Sequence, residues 1–194
     1  MKKIMIVMIC IVLALTITAC GNEPAEISDN DVATDSPAVP SEDTSEGVEL
    51  DTDKVFTFST EDFEGNAFTS DDLKDAKLVM INIWEPWCGP CVGEMPDLEK
   101  IYEEFKDQGL VILGVFAETG MDEDAAQILE ECGITYPILR STSEFDGFQT
   151  GYVPTTVFLT GEGKLMSEYP VIGAQSFDAW HSAVKGLLEV VEND

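Results

Sequence analysis

The residues best equipped for chemistry are two cysteines, Cys88 and Cys91, separated by Gly89-Pro90 and preceded by the apolar run Ile81-Asn82-Ile83-Trp84. A Cys-x-x-Cys pair closes a small disulfide ring or opens to a dithiol, so it accepts or delivers two electrons. The pattern places the pair where a strand ends and a helix starts. There the unpaired backbone N–H groups and the positive end of the helix dipole favour thiolate over thiol. Such surroundings take a cysteine pKa from about 8.5 to roughly 3.5–7.5. Zinc uses the same spacing but wants three or four ligands, commonly a second such pair or two histidines. The chain holds one histidine, His181, and no second pair. Two-electron thiol chemistry is the expectation here, with no metal and no cofactor beyond the two sulfurs.

Other groups are less committed. Glu94 falls three residues after Cys91, and on a helix the two side chains are neighbours on adjacent turns. Spacing alone favours a solvated helix glutamate at Glu94. Cys132 shares a helical face with Ala125, Ile128 and Leu129, where a buried core cysteine is the ordinary outcome. His181 follows Trp180 in the last helix and reads as a surface or boundary residue. Asp122-Glu123-Asp124 suits a helix start, where the dipole favours acids.

The elements that must position these residues follow in chain order. Val55, Phe56 and Phe58 open an extended segment, Glu64-Gly65-Asn66 is a turn, and Ala67-Phe68-Thr69 pairs back as a hairpin. Residues 70–74 form a helical turn. Residues 78–84 are nearly all apolar, as a central strand buried on both faces would be. The helix after Cys88 carries Leu98, Ile101, Tyr102 and Phe105 on one stripe. Pro96 inside it predicts a kink, and Gly109 ends it. Residues 110–116 make a second buried strand. Asp122 or Asp124 starts a helix that stops at Gly133, and residues 134–139 are extended. Residues 142–149 form a helical turn, 155–160 a strand, 161–163 a turn and 164–169 a further strand. Ser176 opens a closing helix with Phe177, Trp180, Val184, Leu187, Leu188 and Val191 on its apolar face. This alternation predicts an α/β domain over 54–194, a central mixed sheet flanked by helices, long enough for one core.

Charge and the N-terminal stretch narrow the setting. The 194 residues include 38 acidic and 10 basic, a net charge of −28. Such a chain does not hold nucleic-acid phosphates, which need clustered Lys and Arg. Met1-Lys2-Lys3 precedes an apolar run from Ile4 to Ile17. That run is shorter than the roughly 20 residues of a membrane span and fits a secretory signal over 1–19. It ends in Leu15-Thr16-Ile17-Thr18-Ala19-Cys20-Gly21, which resembles a bacterial lipoprotein signal with Cys20 lipidated; an ordinary signal with an incidental cysteine is the alternative. Cys10 leaves with the signal. Acyl chains contribute about 0.8 kcal/mol per buried CH2, so two or more hold a protein on a membrane. The expected location is extracytoplasmic, anchored to the bacterial cell membrane. Removing 1–19 leaves eight basic against 38 acidic residues, a charge of −30. Residues 20–53 are rich in Ser, Thr, Pro, Asp and Glu with no basic residue. They bury too little to offset the entropy of ordering and read as a disordered tether with a reach of roughly 30 Å.

With Trp87-Cys88-Gly89-Pro90-Cys91 followed by Tyr152-Val153-Pro154-Thr155-Thr156, the chain resembles the thioredoxin superfamily. The resemblance is closest to the membrane-anchored, extracytoplasmic TlpA-like and ResA-like thiol-disulfide oxidoreductases. Asn82 stands where thioredoxin has a buried aspartate, and Glu94 completes a Cys-x-x-Cys-x-x-Glu pattern. An N-terminal strand extension and a helical insertion near 120–140 also match. Glu85-Pro86 departs from the small or Thr-like residues usual before the Trp. The resemblance implies a thioredoxin-like fold in which Cys88 is the attacking thiolate and Cys91 the resolving thiol. Gly89 and Pro90 shape the loop between them, and Glu94 serves as the proton acceptor for Cys91. It further implies a cis Pro154 beside the sulfurs and, with Trp87 and Val153, a surface that receives an extended substrate segment. Partners implied are disulfide-containing proteins, among them apocytochrome c or oxidised cell-surface enzymes. A membrane thiol donor would supply the electrons, since no Gly-rich NADPH motif occurs; the chain is expected to be a monomer acting as a disulfide reductase. Two alternatives stand beside it. A peroxiredoxin-like thiol peroxidase relies on Pro-x-x-x-Thr/Ser-x-x-Cys, absent before Cys88. A copper-delivery lipoprotein wants Cys-x-x-x-Cys and a distant His.

Overall fold

The computed structural model describes residues 49–117 and 119–193. The signal reading at 1–19, the lipidated Cys20 and the tether as far as residue 48 lie outside the described residues. Among the described residues no helix is long and apolar enough to cross a membrane.

Two short antiparallel strands come first, β1 (Ser59–Glu61) and β2 (Ala67–Thr69). Their turn is held by Asp62, whose carboxylate accepts from the backbone N–H of Glu64 and Asn66 at 3.0 and 2.8 Å. The main sheet contains β3 (Leu78–Ile83), β4 (Leu110–Phe116), β5 (Ile138–Arg140), β6 (Thr155–Thr160) and β7 (Val171–Ile172), in the order β5-β4-β3-β6-β7. β3 runs parallel to β4 and β4 to β5, while β6 is antiparallel to β3 and to β7. The sheet is therefore mixed. Every residue of β3 is buried because the strand is flanked by neighbours on both edges and covered on both faces.

Strand side chains alternate between faces, and β3 divides the core accordingly. Leu78 and Met80 enter a layer with Met95, Leu98 and Ile101 of helix α1 (Gly89–Phe105) and with Trp180, Val184 and Leu188 of helix α3 (Phe177–Asn193). Helix α2 (Asp122–Cys132) adds Ala125 to that layer. Val79, Ile81 and Ile83 enter the opposite layer, roofed by Leu50, Phe58, Leu73, Phe145 and Phe148. Phe56 stacks on Phe58 and tilts against Phe148, with ring centroids 5.6 and 4.5 Å apart. Fully burying each such side chain contributes about 1.5–3 kcal/mol. Asn82 shares its parity with Leu78 and Met80, so its amide enters the α1 side of the sheet.

Three details depart from or complete the sequence reading. Ordered packing begins before Lys54: Leu50 is buried and its N–H donates to Glu168 O at 2.7 Å. An acidic stretch with few apolar residues reads as a tether by composition, yet Leu50 packs over the sheet. The strand expected over 164–169 does not form as one element. Met166 still donates to Phe158 O at 2.9 Å, but Ser167 bonds to both backbone groups of Tyr169 and Pro170 lacks an N–H. Pairing with β6 resumes only at Val171–Ile172. Third, α1 continues through Pro96. Pro96 has no N–H for the carbonyl of Val92 four residues earlier, and the thiol of Cys132 lies 4.0 Å from that oxygen. Cys132 is half-buried between α2 and α1, with its pKa raised by burial first and by Glu131 second.

Candidate active site

Cys88 is the N-cap of α1, with extended backbone, and its sulfur accepts the N–H of Cys91 at 3.2 Å. Its own N–H donates to Glu85 O at 3.0 Å, which closes the turn out of β3. Gly89 and Pro90 occupy the first helical positions, both exposed; a proline there costs nothing, since the first N–H groups of a helix lack intrahelical partners. The two sulfurs are bonded at 2.05 Å, and both residues are almost buried, Cys91 more so than Cys88. Cys88 Sγ also lies 3.6 Å from the carbonyl of Val153.

Val153 arrives from 65 residues away on the loop before β6, and the Val153–Pro154 peptide is cis. The loop is held by hydroxyls. Thr155 Oγ1 donates to Tyr152 O at 2.7 Å and meets Thr150 Oγ1 at 2.8 Å, while Gly173 N–H of the segment after β7 donates to Pro154 O at 2.8 Å. Beside it lies a groove of about 390 Å³ between Glu85, Trp87, Ala117, Gln149, Tyr152 and Val153. Trp87 and Tyr152 stand 60% and 71% exposed at its rim. Glu85 Oε1 accepts the N–H of Ala117 at 3.2 Å. A cavity of about 460 Å³ elsewhere, around Phe56, Leu73 and Gly163, is remote in the fold from the cysteines.

Glu94 is 3% exposed, on the sheet-facing side of α1. Its Oε1 accepts from Asn82 Nδ2 at 3.0 Å; its Oε2 accepts from the N–H of Gln175 and from Trp180 Nε1, each at 3.0 Å. Burial raises its pKa above the ordinary value, and the bonds from Trp180, Gln175 and Asn82 offset only part of that. Asn82 Nδ2 lies also 3.0 Å from Thr156 Oγ1, its partner across the β3–β6 ladder. A carboxyl that keeps its proton more readily than usual thus lies one helical turn from the second cysteine.

The structure brings Trp87, Cys88, Gly89, Pro90, Cys91, Val153 and Pro154 around the disulfide, with Glu94 below in the core. His181 lies apart, against Glu104 at 3.0 Å and between the rings of Phe105 and Phe177. Sequence reasoning missed Gln175, Trp180 and Thr156 as partners of the Asn82–Glu94 pair. The available signal was chemical: a Trp on a buried helical face needs an acceptor for its N–H.

A model of the AhpC/TSA family matches residues 52–167. Among curated proteins, the chain is 33% identical over 106 residues to the thiol-disulfide oxidoreductase ResA of Oceanobacillus iheyensis, covering 54% of this chain and 54% of that one. It is 32% identical over 112 residues to the ResA of Bacillus subtilis, covering 56% and 61%. The chain thus spans between half and two thirds of the length of these relatives. Among solved structures, the thioredoxin domain of a thiol-disulfide oxidoreductase from Bacteroides vulgatus aligns with a TM-score of 0.58 at 26% identity, covering 72% of this chain and 99% of that domain. A thioredoxin-family thiol:disulfide interchange protein from Chlorobium tepidum aligns with a TM-score of 0.60 at 24% identity, covering 69% and 94%. The fold is thioredoxin-like.

Proposed function

The chain belongs to the AhpC/TSA family, and from that premise we propose that it is a thiol-disulfide oxidoreductase that reduces disulfides in extracytoplasmic proteins through Cys88 and Cys91. The observation that carries the reading is the Cys88–Cys91 disulfide at the start of α1, with the Val153 carbonyl 3.6 Å from the outer sulfur and the buried Glu94 beneath. The names of the relatives support it.

In the reduced state the α1 N-terminus stabilises Cys88 as a thiolate. That thiolate attacks one sulfur of a substrate disulfide laid along Trp87, Val153 and Pro154. One substrate sulfur bonds to Cys88 and the other leaves as a thiolate. Cys91 then loses its proton to Glu94 and attacks Cys88 Sγ. The second substrate thiolate departs, and the protein is left as its disulfide, two electrons poorer. A membrane thiol donor returns the electrons, and lipidation of Cys20 keeps the domain at the extracytoplasmic membrane face beside donor and substrates. The protein works as a monomer with no cofactor beyond the Cys88–Cys91 couple. In the peroxidase alternative, the residue three before the reactive cysteine donates a hydroxyl to the peroxide. Glu85 stands there, and its carboxylate accepts from Ala117 instead.

The reading is tested with Cys88→Ser and Cys91→Ser in a protein-disulfide reduction assay, with hydrogen peroxide turnover measured alongside. Cys88→Ser abolishes reduction, and Cys91→Ser accumulates mixed disulfides with substrate. Full disulfide-reducing activity in both variants overturns it, and peroxide turnover faster than disulfide turnover selects the peroxidase.

A further inference from the structure

We infer that Trp180 is a positioning residue for Glu94: with the Gln175 N–H it occupies carboxylate oxygen Oε2, leaving Oε1, which faces Asn82, to take and return the proton of Cys91. The inference rests on the thiol-disulfide reading and adds to it the atom at which the proton is exchanged.

The asymmetry lies in what each partner can do. Trp180 Nε1 and the Gln175 backbone nitrogen both lie 3.0 Å from Oε2. An indole N–H and an amide N–H donate only, with no lone pair to accept a proton from a carboxylic acid. A proton on Oε2 would face two donors held in place. Trp180 is 1% exposed, its ring packs edge-on against Phe158 at 6.1 Å, and α3 fixes it between the sheet and α1. The indole has nowhere to retreat. The other oxygen meets convertible partners. Asn82 Nδ2 lies 3.0 Å from Oε1 and 3.0 Å from Thr156 Oγ1. A carboxamide turned by half a rotation presents an oxygen in place of the NH2, and a hydroxyl either donates or accepts. With Glu94 ionised, Asn82 donates to Oε1 and to Thr156. With Glu94 protonated, the turned amide accepts from the Oε1 hydroxyl and from Thr156. Both states keep the Glu94–Asn82 and Asn82–Thr156 bonds, as buried polar side chains favour.

Few other titratable groups face this carboxyl. On its own helix the relevant one is Cys91. From the segment before β5 comes Tyr136, a buried phenol whose proton is held more tightly by burial and, secondarily, by the charges of Glu99 and Glu94. β3 and β6 bring Asn82 and Thr156, which do not titrate. On α3, Asp178 is exposed and His181 is bonded to Glu104. In the resolving step the Cys91 S–H bond breaks and its proton goes to Glu94 Oε1. The Cys91 sulfur bonds to Cys88, the bond from Cys88 to the substrate sulfur breaks, and that sulfur leaves with the electron pair. Oε1 then gives the proton to water or to the departing thiolate.

Trp180→Phe in the full chain keeps the ring and removes the N–H. Losing one donor to the anion makes Glu94 a weaker acid, so the pH profile of mixed-disulfide resolution moves to the alkaline side. On its acid limb the rate falls by about tenfold. In a Glu94→Gln background the same substitution leaves the profile where Glu94→Gln alone puts it. An unshifted profile in a folded Trp180→Phe overturns the inference. Nitrogen-15 NMR of the reduced wild-type protein tests it without a variant. The side-chain amide resonances of Asn82 move across the titration while the Trp180 indole hydrogen stays protected from solvent on both sides. Asn82 resonances that stay fixed with pH, or an indole that becomes exchangeable, overturn it. A chain that reduces no disulfide at all removes the thiol-disulfide reading instead, and the NMR titration still reports on Glu94 in that event.

Discussion

Replacing Glu94 by Gln tests the energetics of the site. The wild-type carboxyl is 3% exposed, and three N–H donors at 3.0 Å compensate its charge without a cation among the bonds described for it. Burial is the largest influence and raises its pKa above the ordinary 4.5. A raised folded-state pKa means the native state binds the proton more tightly than the unfolded chain. The associated stability is fully present below the unfolded value, near 4.5, and is lost as pH rises through the folded value. Gln does not ionise and keeps the shape. Its oxygen accepts from Trp180 and Gln175, and its NH2 meets an Asn82 amide turned to present oxygen. The two proteins should therefore be nearly equally stable at acid pH. Above pH 4.5 the variant gains on the wild type by up to about 1.4 kcal/mol per pH unit, until the folded-state pKa is passed and the difference levels off. Urea unfolding at closely spaced pH values, with the disulfide intact and the m-values equal, measures the difference directly. Two stability curves that stay parallel would show that Glu94 has the same pKa folded and unfolded. A wild type that gains on the variant with rising pH would show an anion stabilised by its donors, and either result refutes the reasoning. In the reduced protein the same substitution should lower the apparent thiol pKa and slow resolution, because one negative charge and one proton acceptor are gone.

Three further outcomes follow from the packing. A Cβ at Gly114 would lie 2.6 Å from Ile138 Cδ1 and 3.2 Å from Trp84 Nε1, so Gly114→Ala should cost about 1–3 kcal/mol by overpacking; an unchanged urea midpoint would mean β4 and β5 yield there at no cost. Trp87→Ala, at a residue 60% exposed, should leave stability within about 0.5 kcal/mol while raising KM for a protein disulfide several-fold. An unaltered KM removes Trp87 from the substrate surface. Leu50→Ala should destabilise the domain by about 2 kcal/mol or more, as for other buried leucines; no loss in a denaturation curve would return residues 49–53 to the tether.

The reactive motif was legible because everything that defines it is local. The strand before Cys88 shows as a continuous apolar run, the helix after it as a stripe with period near 3.6, and the N-cap cysteine lies where one pattern gives way to the other. The Gly133 stop of α2 and the acidic start at Asp122 are likewise set by residues within one turn. The partners of that motif are another matter. Val153 reaches Cys88 across 65 residues and Trp180 reaches Glu94 across 86, and no periodicity in one element encodes which element of another will face it. Whether Glu94 is a solvated glutamate or a buried carboxyl depends on α3 closing over it, and α3 by itself shows only an apolar face. The edge of the sheet was misplaced for a related reason. A ladder to a single neighbour, interrupted by the Ser167–Tyr169 bonds and Pro170, decides that 171–172 pair with β6 while 164–169 do not form one strand. Leu50 illustrates the converse limit. Composition averages over a window and so reads an acidic stretch as unstructured, whereas burial is decided residue by residue, by whether folding leaves a hole of the right size.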